Sequence, residues 1–150
     1  VESRHGGTFT AIVFRNLIDG VEHVALVKGD VGDGKPALVR VHAVNLFDDI
    51  VGDRFYSHGS AVFGAMEEIG KAGRGVIVLM RETHRSSPSD VLLSRKASPQ
   101  PSGSTIRDYG TGAQILRALG IRKMILLNNS VQPLVALRGY GLEIVDGDVR

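Results

Sequence analysis

Cysteine is absent from the 150-residue sequence, which excludes both disulfide bonds and any metal site built from thiolates. No apolar run approaches the roughly 20 residues that a membrane-spanning helix needs. The 18 Lys and Arg residues and 16 Asp and Glu residues are scattered, without the dense basic stretch typical of nucleic-acid binding. We therefore expect neither a membrane nor a nucleic acid as a partner.

The first residues, Val-Glu-Ser-Arg, include neither an initiating methionine nor the apolar core of a signal peptide. We therefore expect a cytoplasmic protein, and a domain cut from a longer polypeptide. The length suits a single domain over residues 1–150, and a domain of this size buries roughly 70% of its unfolded surface. The 43% hydrophobic fraction is ordinary for a globular protein.

The N-terminal part of the sequence has the alternating pattern of β-strands. Residues 9–15 and 22–28 each have the composition of a strand, and an Asp-Gly turn signal lies between them, which predicts an antiparallel hairpin. A loop rich in Gly and Asp follows at 29–36. Residues 37–44 form a third predicted strand.

Helices and strands alternate in the rest of the sequence. Residues 60–72 have the apolar spacing of an amphipathic helix that ends at Gly73, and the apolar run 76–80 is typical of a buried strand. The further predicted elements are a helix at 113–119, a strand at 123–127, a helix at 131–137 and a strand at 142–145. This order predicts an α/β fold, in which a mixed sheet carries helices on both faces beside the N-terminal hairpin.

Residues 82–105 are the most polar and least periodic part of the sequence. They contain three of the five prolines. This composition predicts an irregular loop, with a short strand at 91–93.

Three stretches of the sequence resemble the GTP cyclohydrolase II family of riboflavin biosynthesis. They are EHVALVKGD with the following LVRVH (22–30 and 38–42), AMEEIGKAGRGVIVLMR (65–81), and IRDYGTGAQILRALGIRKMILLNN (106–129), in family order and at near-family spacing. The resemblance implies a reaction that opens the imidazole ring of GTP and releases formate and pyrophosphate. It also implies a zinc ion that activates water, and a nucleophilic arginine at the position of Arg107.

The resemblance also implies which residues stand at the family's zinc positions. The family has three cysteines there, and the matching residues are Asn45, Tyr56 and His58. Only an imidazole is an ordinary zinc ligand among these, and one ligand does not hold a catalytic zinc. We therefore expect no zinc and an inactive pseudoenzyme. For His58 the alternatives are a surviving metal ligand and an ordinary histidine at the entry to a helix.

Other positions that carry the family's chemistry differ as well. Thr83 stands where the family has the acid that binds the edge of the guanine base. Thr105 replaces a family acid two positions before Arg107. Arg81 and Arg85 match family arginines, and the resemblance implies that they bind the phosphates of a nucleotide. For Arg107 the alternative to a catalytic role is a salt bridge with a neighbouring acid.

Three hypotheses about function follow. The first is a non-catalytic domain, dimeric with a second copy, that supports or regulates a fused 3,4-dihydroxy-2-butanone 4-phosphate synthase. The second is an active GTP cyclohydrolase II with an altered His/Asp metal site. Its candidate ligands are His42, Asp48, Asp49, Asp53 and His58. The third is a domain that binds GTP or another nucleotide without chemistry.

Overall fold

A computed structural model gives the fold and describes residues 1–44, 46–51, 61–81, 88–89, 92–93, 106–127, 139 and 141–145. The strands are β1 (Glu2–Ser3), β2 (Gly7–Thr8), β3 (Thr10–Arg15), β4 (Glu22–Lys28), β5 (Ala37–Ala43), β6 (Gly75–Met80), β7 (Lys123–Leu126) and β8 (Glu143–Ile144). The α-helices are α1 (Ala61–Ala72) and α2 (Ile106–Ala118), and a π-helical turn spans Phe47–Val51.

Strands β3 to β8 form one mixed sheet in the order β3-β4-β6-β5-β7-β8. β4 pairs antiparallel with both β3 and β6, whereas β6, β5, β7 and β8 run parallel to one another. β1 and β2 pair separately, also antiparallel. The mixed sheet and the antiparallel hairpin that the sequence predicts are confirmed.

Two apolar cores lie on opposite faces of the sheet, because successive residues of a strand point to opposite sides. Along β6, Val76 and Val78 belong to the core that α2 covers with Leu116. Ile77 belongs to the other core, which α1 covers with Ile69. A central strand that is buried on both faces has the continuous apolar sequence seen here. The two helices thus cover opposite faces, as predicted.

The turn between β1 and β2 lies directly on α1, through two glycines. A Cβ atom built on Gly70 would lie only 2.6 Å from the carbonyl oxygen of Gly6, so no larger residue fits at this crossing. The Lys28 ammonium donates a 2.6 Å hydrogen bond to the same oxygen. Beside it the His5 ring stacks on Phe63 at 4.1 Å between centroids. These contacts fix the hairpin of β1 and β2 against α1.

Arg74 ties the loop before β5 to the amino edge of the sheet. Its guanidinium donates to the carbonyls of Asp30 and Pro36 at 3.2 and 3.0 Å, and to Asp33 Oδ1 at 2.7 Å. The backbone amide of Lys35 donates to the same carboxylate at 3.0 Å. This amide, with the Arg74 charge, holds the pKa of Asp33 below its ordinary value. Arg74, the residue before β6, thus contacts this loop at three of its residues.

Two predictions from the sequence need correction. The helix predicted to start at residue 113 begins at Ile106. The prediction missed its first two turns because glycines and polar residues interrupt the apolar period there. The strand predicted at 91–93 is wrong, since Leu92 and Leu93 have helical backbone. Three apolar residues alone do not distinguish a helix from a strand. The helix predicted at 131–137 and most of 82–105 lie outside the described residues.

Candidate functional site

The carboxyl ends of β5, β6 and β7 meet at one edge of the sheet, because these strands are parallel. Ligands of open α/β sheets bind outside this edge. The Val44 amide donates to the Met80 carbonyl at 3.0 Å, which ties the end of β5 to the end of β6. Arg81 follows β6 immediately and its side chain is exposed. One predicted nucleotide-binding arginine therefore stands at the edge where a ligand is expected.

The first turn of α2 reaches the same edge. α2 leads into β7, which runs parallel to β5, so the helix starts at the carboxyl edge and returns toward the amino edge. Arg107 is the second residue of this helix. Its backbone therefore lies at the edge that also carries Arg81, while the position of its side chain is outside what the structure describes.

His42 and Asp49 form a partly buried pair beside this edge. His42 Nε2 lies 2.8 Å from Asp49 Oδ1, and the two side chains are only 7% and 14% exposed. Since a carboxylate only accepts hydrogen bonds, the imidazole Nε2–H is the donor. The contact joins the carboxyl end of β5 to the π-helical turn. It thus brings together two of the five residues predicted as an alternative metal site.

Two buried polar residues were missed at the sequence level. The Arg40 guanidinium on β5 donates to the Leu127 carbonyl at 2.9 Å, across 87 residues of sequence. His23 on β4 accepts a 3.1 Å hydrogen bond at Nδ1 from the backbone amide of Arg81. A charged or imidazole side chain inside an otherwise apolar strand is the signal that marks both. Both side chains fix the ends of strands at the candidate site.

Most of the predicted metal and phosphate ligands lie outside the described part of the chain, namely Asn45, Asp53, Tyr56, His58 and Arg85. In the part that is described, no three His, Asp or Glu side chains are grouped so as to hold a metal ion. The roles of these residues, including that of Asp48, therefore stay predictions.

Comparison with known proteins identifies the scaffold. The sequence model of the GTP cyclohydrolase II family matches residues 1–148, almost the whole chain. The chain belongs to the GTP cyclohydrolase II family. The resemblance seen in three stretches of the sequence is thereby confirmed, and it extends beyond those stretches.

Several relatives within the GTP cyclohydrolase II family are riboflavin biosynthesis proteins. "Monofunctional riboflavin biosynthesis protein RIBA 2, chloroplastic" of Arabidopsis thaliana is 45% identical over 148 residues, which are 92% of this chain and 30% of the relative. "Bifunctional riboflavin biosynthesis protein RIBA 1, chloroplastic" of the same plant is 38% identical, over 93% of this chain and 28% of the relative. "Riboflavin biosynthesis protein RibBA" of Nocardia farcinica is 42% identical, over 93% and 37%. The chain thus spans about a third of these relatives' length.

The helices and the names of the relatives bear on membranes and cellular compartments. Among the helices in the described residues, none combines the length and the apolar composition needed to cross a bilayer. The two Arabidopsis relatives are named as chloroplast proteins. The cytoplasmic location therefore stays a prediction.

Proposed function

We propose that the chain is a GTP cyclohydrolase II-family domain of riboflavin biosynthesis that does not open the GTP ring. The observation that carries this proposal is the absence of cysteine from the whole sequence. At the family's three zinc positions an amide (Asn45), a phenol (Tyr56) and one imidazole (His58) replace thiolates. A catalytic zinc needs three strong protein ligands and an open position for water, and this donor set does not fit that need.

The chain's role is to support or regulate a 3,4-dihydroxy-2-butanone 4-phosphate synthase to which it is joined. The relatives support this role, since one is named bifunctional and another RibBA, and each is about three times as long as the matched region. The intact scaffold, with both cores filled, suits a domain whose work is structural.

The supporting role is tested on the longer protein with and without this domain. Removal is expected to lower the synthase's thermal midpoint or its activity, because a packed neighbour that binds only the folded enzyme stabilises it. The measurements are a thermal unfolding scan and a synthase assay under the same conditions. Unchanged values in both would remove the supporting role.

The alternative function is an active GTP cyclohydrolase II with a metal held by His and Asp. The specific observation in its favour is the 2.8 Å contact between His42 and Asp49 beside the carboxyl edge. Both side chains belong to ligand types that bind zinc or other divalent metals. A third ligand has to come from a residue such as His58.

A metal analysis combined with a formate-release assay separates the two functions. The purified chain is expected to hold far less than one equivalent of zinc and to release no formate from GTP. A cysteine-containing member of the family, assayed in parallel, is the positive control. One equivalent of metal together with turnover would establish the alternative.

Nucleotide binding without chemistry is compatible with the inactive domain. Arg81 is exposed at the carboxyl edge, and Arg85 and Arg107 are the other arginines proposed to bind phosphates. A calorimetric titration of the same preparation with GTP measures this binding. Heat that disappears in the Arg81→Ala variant assigns the site, whereas no heat with the parent chain removes nucleotide binding from the proposal.

A further inference from the structure

The peptide unit between Met80 and Arg81, directly after β6, is held from both neighbouring strands. Its carbonyl, on Met80, accepts a 3.0 Å hydrogen bond from the Val44 amide, which follows β5. Its amide, on Arg81, donates a 3.1 Å hydrogen bond to Nδ1 of His23 on β4. The carbonyl and the amide of a trans peptide point in opposite directions, so the two contacts hold one rigid plane from its two sides. The backbone from which the Arg81 side chain extends is therefore fixed to the sheet.

On the β4 side of this peptide unit, a side chain takes the place of the main chain as acceptor. The backbone pairing of β4 with β6 ends at Val24 opposite Leu79. Arg81 lies two residues beyond that last pair, and its amide donates to the His23 imidazole instead. The buried imidazole thereby extends the sheet contact to the residue that carries an exposed guanidinium.

This contact determines which nitrogen of the His23 ring carries a proton. A backbone amide is a donor, so Nδ1 has to be the acceptor, and an imidazole nitrogen accepts only when it carries no proton. The single proton of the neutral ring is then on Nε2. Because His23 is only 4% exposed, water has little access to the contact.

The location of His23 separates the contact with Arg81 from ordinary core packing. Alternate residues of a strand face the same side, so His23 lies on the face of Ala25, which belongs to the core that α2 covers. An apolar side chain would suit this face at least as well, since a buried imidazole needs hydrogen-bond partners. The acceptor for the Arg81 amide is a property that an apolar residue does not supply.

We propose that His23 is a positioning residue of the candidate nucleotide site, and that it acts through the backbone of Arg81. The inference rests on the proposed function, in which Arg81 binds the phosphates of a nucleotide. A guanidinium binds a phosphate through two parallel N–H donors, and this geometry depends on where the side chain begins. A backbone that is held in place before the ligand arrives does not have to be ordered on binding, which increases the affinity.

Two variants of nearly equal shape test the role of His23. His23→Asn keeps an acceptor, because Oδ1 of asparagine takes about the place of Nδ1, whereas His23→Leu puts a methyl group there. In a calorimetric titration with GTP, His23→Leu is expected to bind about two- to tenfold more weakly than the parent chain, the usual effect of one hydrogen bond. His23→Asn is expected to restore most of this loss. Equal binding by His23→Leu and the parent, or an equal loss in both variants, overturns the role of His23.

Hydrogen exchange of the residue 81 amide, measured by NMR, tests the contact without a ligand. The amide is expected to exchange slowly in the parent chain and in His23→Asn, and about threefold faster or more in His23→Leu, which lacks the acceptor. Arg81→Ala is the control, because it removes the guanidinium and keeps the amide. Exchange at position 81 is expected to stay slow in this control while GTP binding is lost. Fast exchange in the parent chain overturns the proposal.

The two measurements separate a failure of this inference from a failure of the proposed nucleotide site. A parent chain that binds no GTP removes the site, and the role of His23 in it, even if the residue 81 amide exchanges slowly. GTP binding whose strength does not follow the exchange rate across the variants removes the role of His23 alone. Thermal unfolding of each variant reports its stability. Weak GTP binding by a His23→Leu variant that is as stable as His23→Asn is a result that a merely structural role does not give.

Discussion

A chain carrying Asn45→Cys, Tyr56→Cys and His58→Cys together is expected to bind about one equivalent of zinc, whereas the parent chain is expected to hold far less. Three thiolates on a scaffold that belongs to the GTP cyclohydrolase II family complete the ligand set of a zinc site with one open position. Binding of zinc to such thiolate sets reaches on the order of 10 kcal/mol. Metal analysis after dialysis, with a chromophoric chelator as competitor, measures the change.

A variant with only Asn45→Cys and His58→Cys is the control for this zinc prediction. Two thiolates without the third are expected to lose the metal to the chelator. The triple variant is not expected to release formate from GTP, since Thr83 and Thr105 still stand where the family has acids. A triple variant without zinc would show that these positions are not the equivalents of the family's ligands.

Gly70→Ala is expected to destabilise the chain by up to about 2 kcal/mol, because inserting a methyl group where there is no room usually costs about 1–3 kcal/mol and the helix preference of alanine offsets about 1 kcal/mol of it. The new Cβ would lie 2.6 Å from the carbonyl oxygen of Gly6 and 2.7 Å from its Cα. Both are backbone atoms, so the hairpin of β1 and β2 has to move away from α1. This steric cost opposes the roughly 1 kcal/mol by which alanine favours a helix over glycine. Denaturant unfolding gives the free energy.

Gly64→Ala is the matched control in the same helix. A Cβ atom on Gly64 would have no neighbour within 4 Å, so only the helix preference acts. This variant is expected to be more stable than the parent by about 0.5–1 kcal/mol. If Gly70→Ala stabilises as much as Gly64→Ala does, the hairpin does not rest on the helix at Gly6.

The strands and the first helix could be predicted because their apolar periods are strong and their turns have distinct residues. β4 and β6 lie within one residue of the predicted ranges. Gly73, with a φ of 79°, ends α1 as the sequence predicts. The start of α2 could not be predicted, since Gly112 has no side chain to mark a period. A Cβ there would lie 3.2 Å from Val41, so the glycine serves the close approach of helix to sheet.

The candidate site was only partly predictable, for a different reason. Residue types and family positions identified Arg81, His42 and Asp49 as polar groups of interest. The contacts of Arg40 and His23 join positions 87 and 58 residues apart, and no local pattern encodes them. Such contacts follow from the sheet order, which places β4 beside β6 and β5 beside β7.

The position of Arg74 separates the side chains that hold the fold from those of the candidate site. The side chain anchors its loop at the amino edge of the sheet, whereas the ligand edge lies at the opposite ends of the same strands. Residues at one rim can therefore be exchanged without loosening the other. On the proposed function, a domain divided in this way can lose catalytic side chains and still fold, because selection for folding acts on a separate set of side chains.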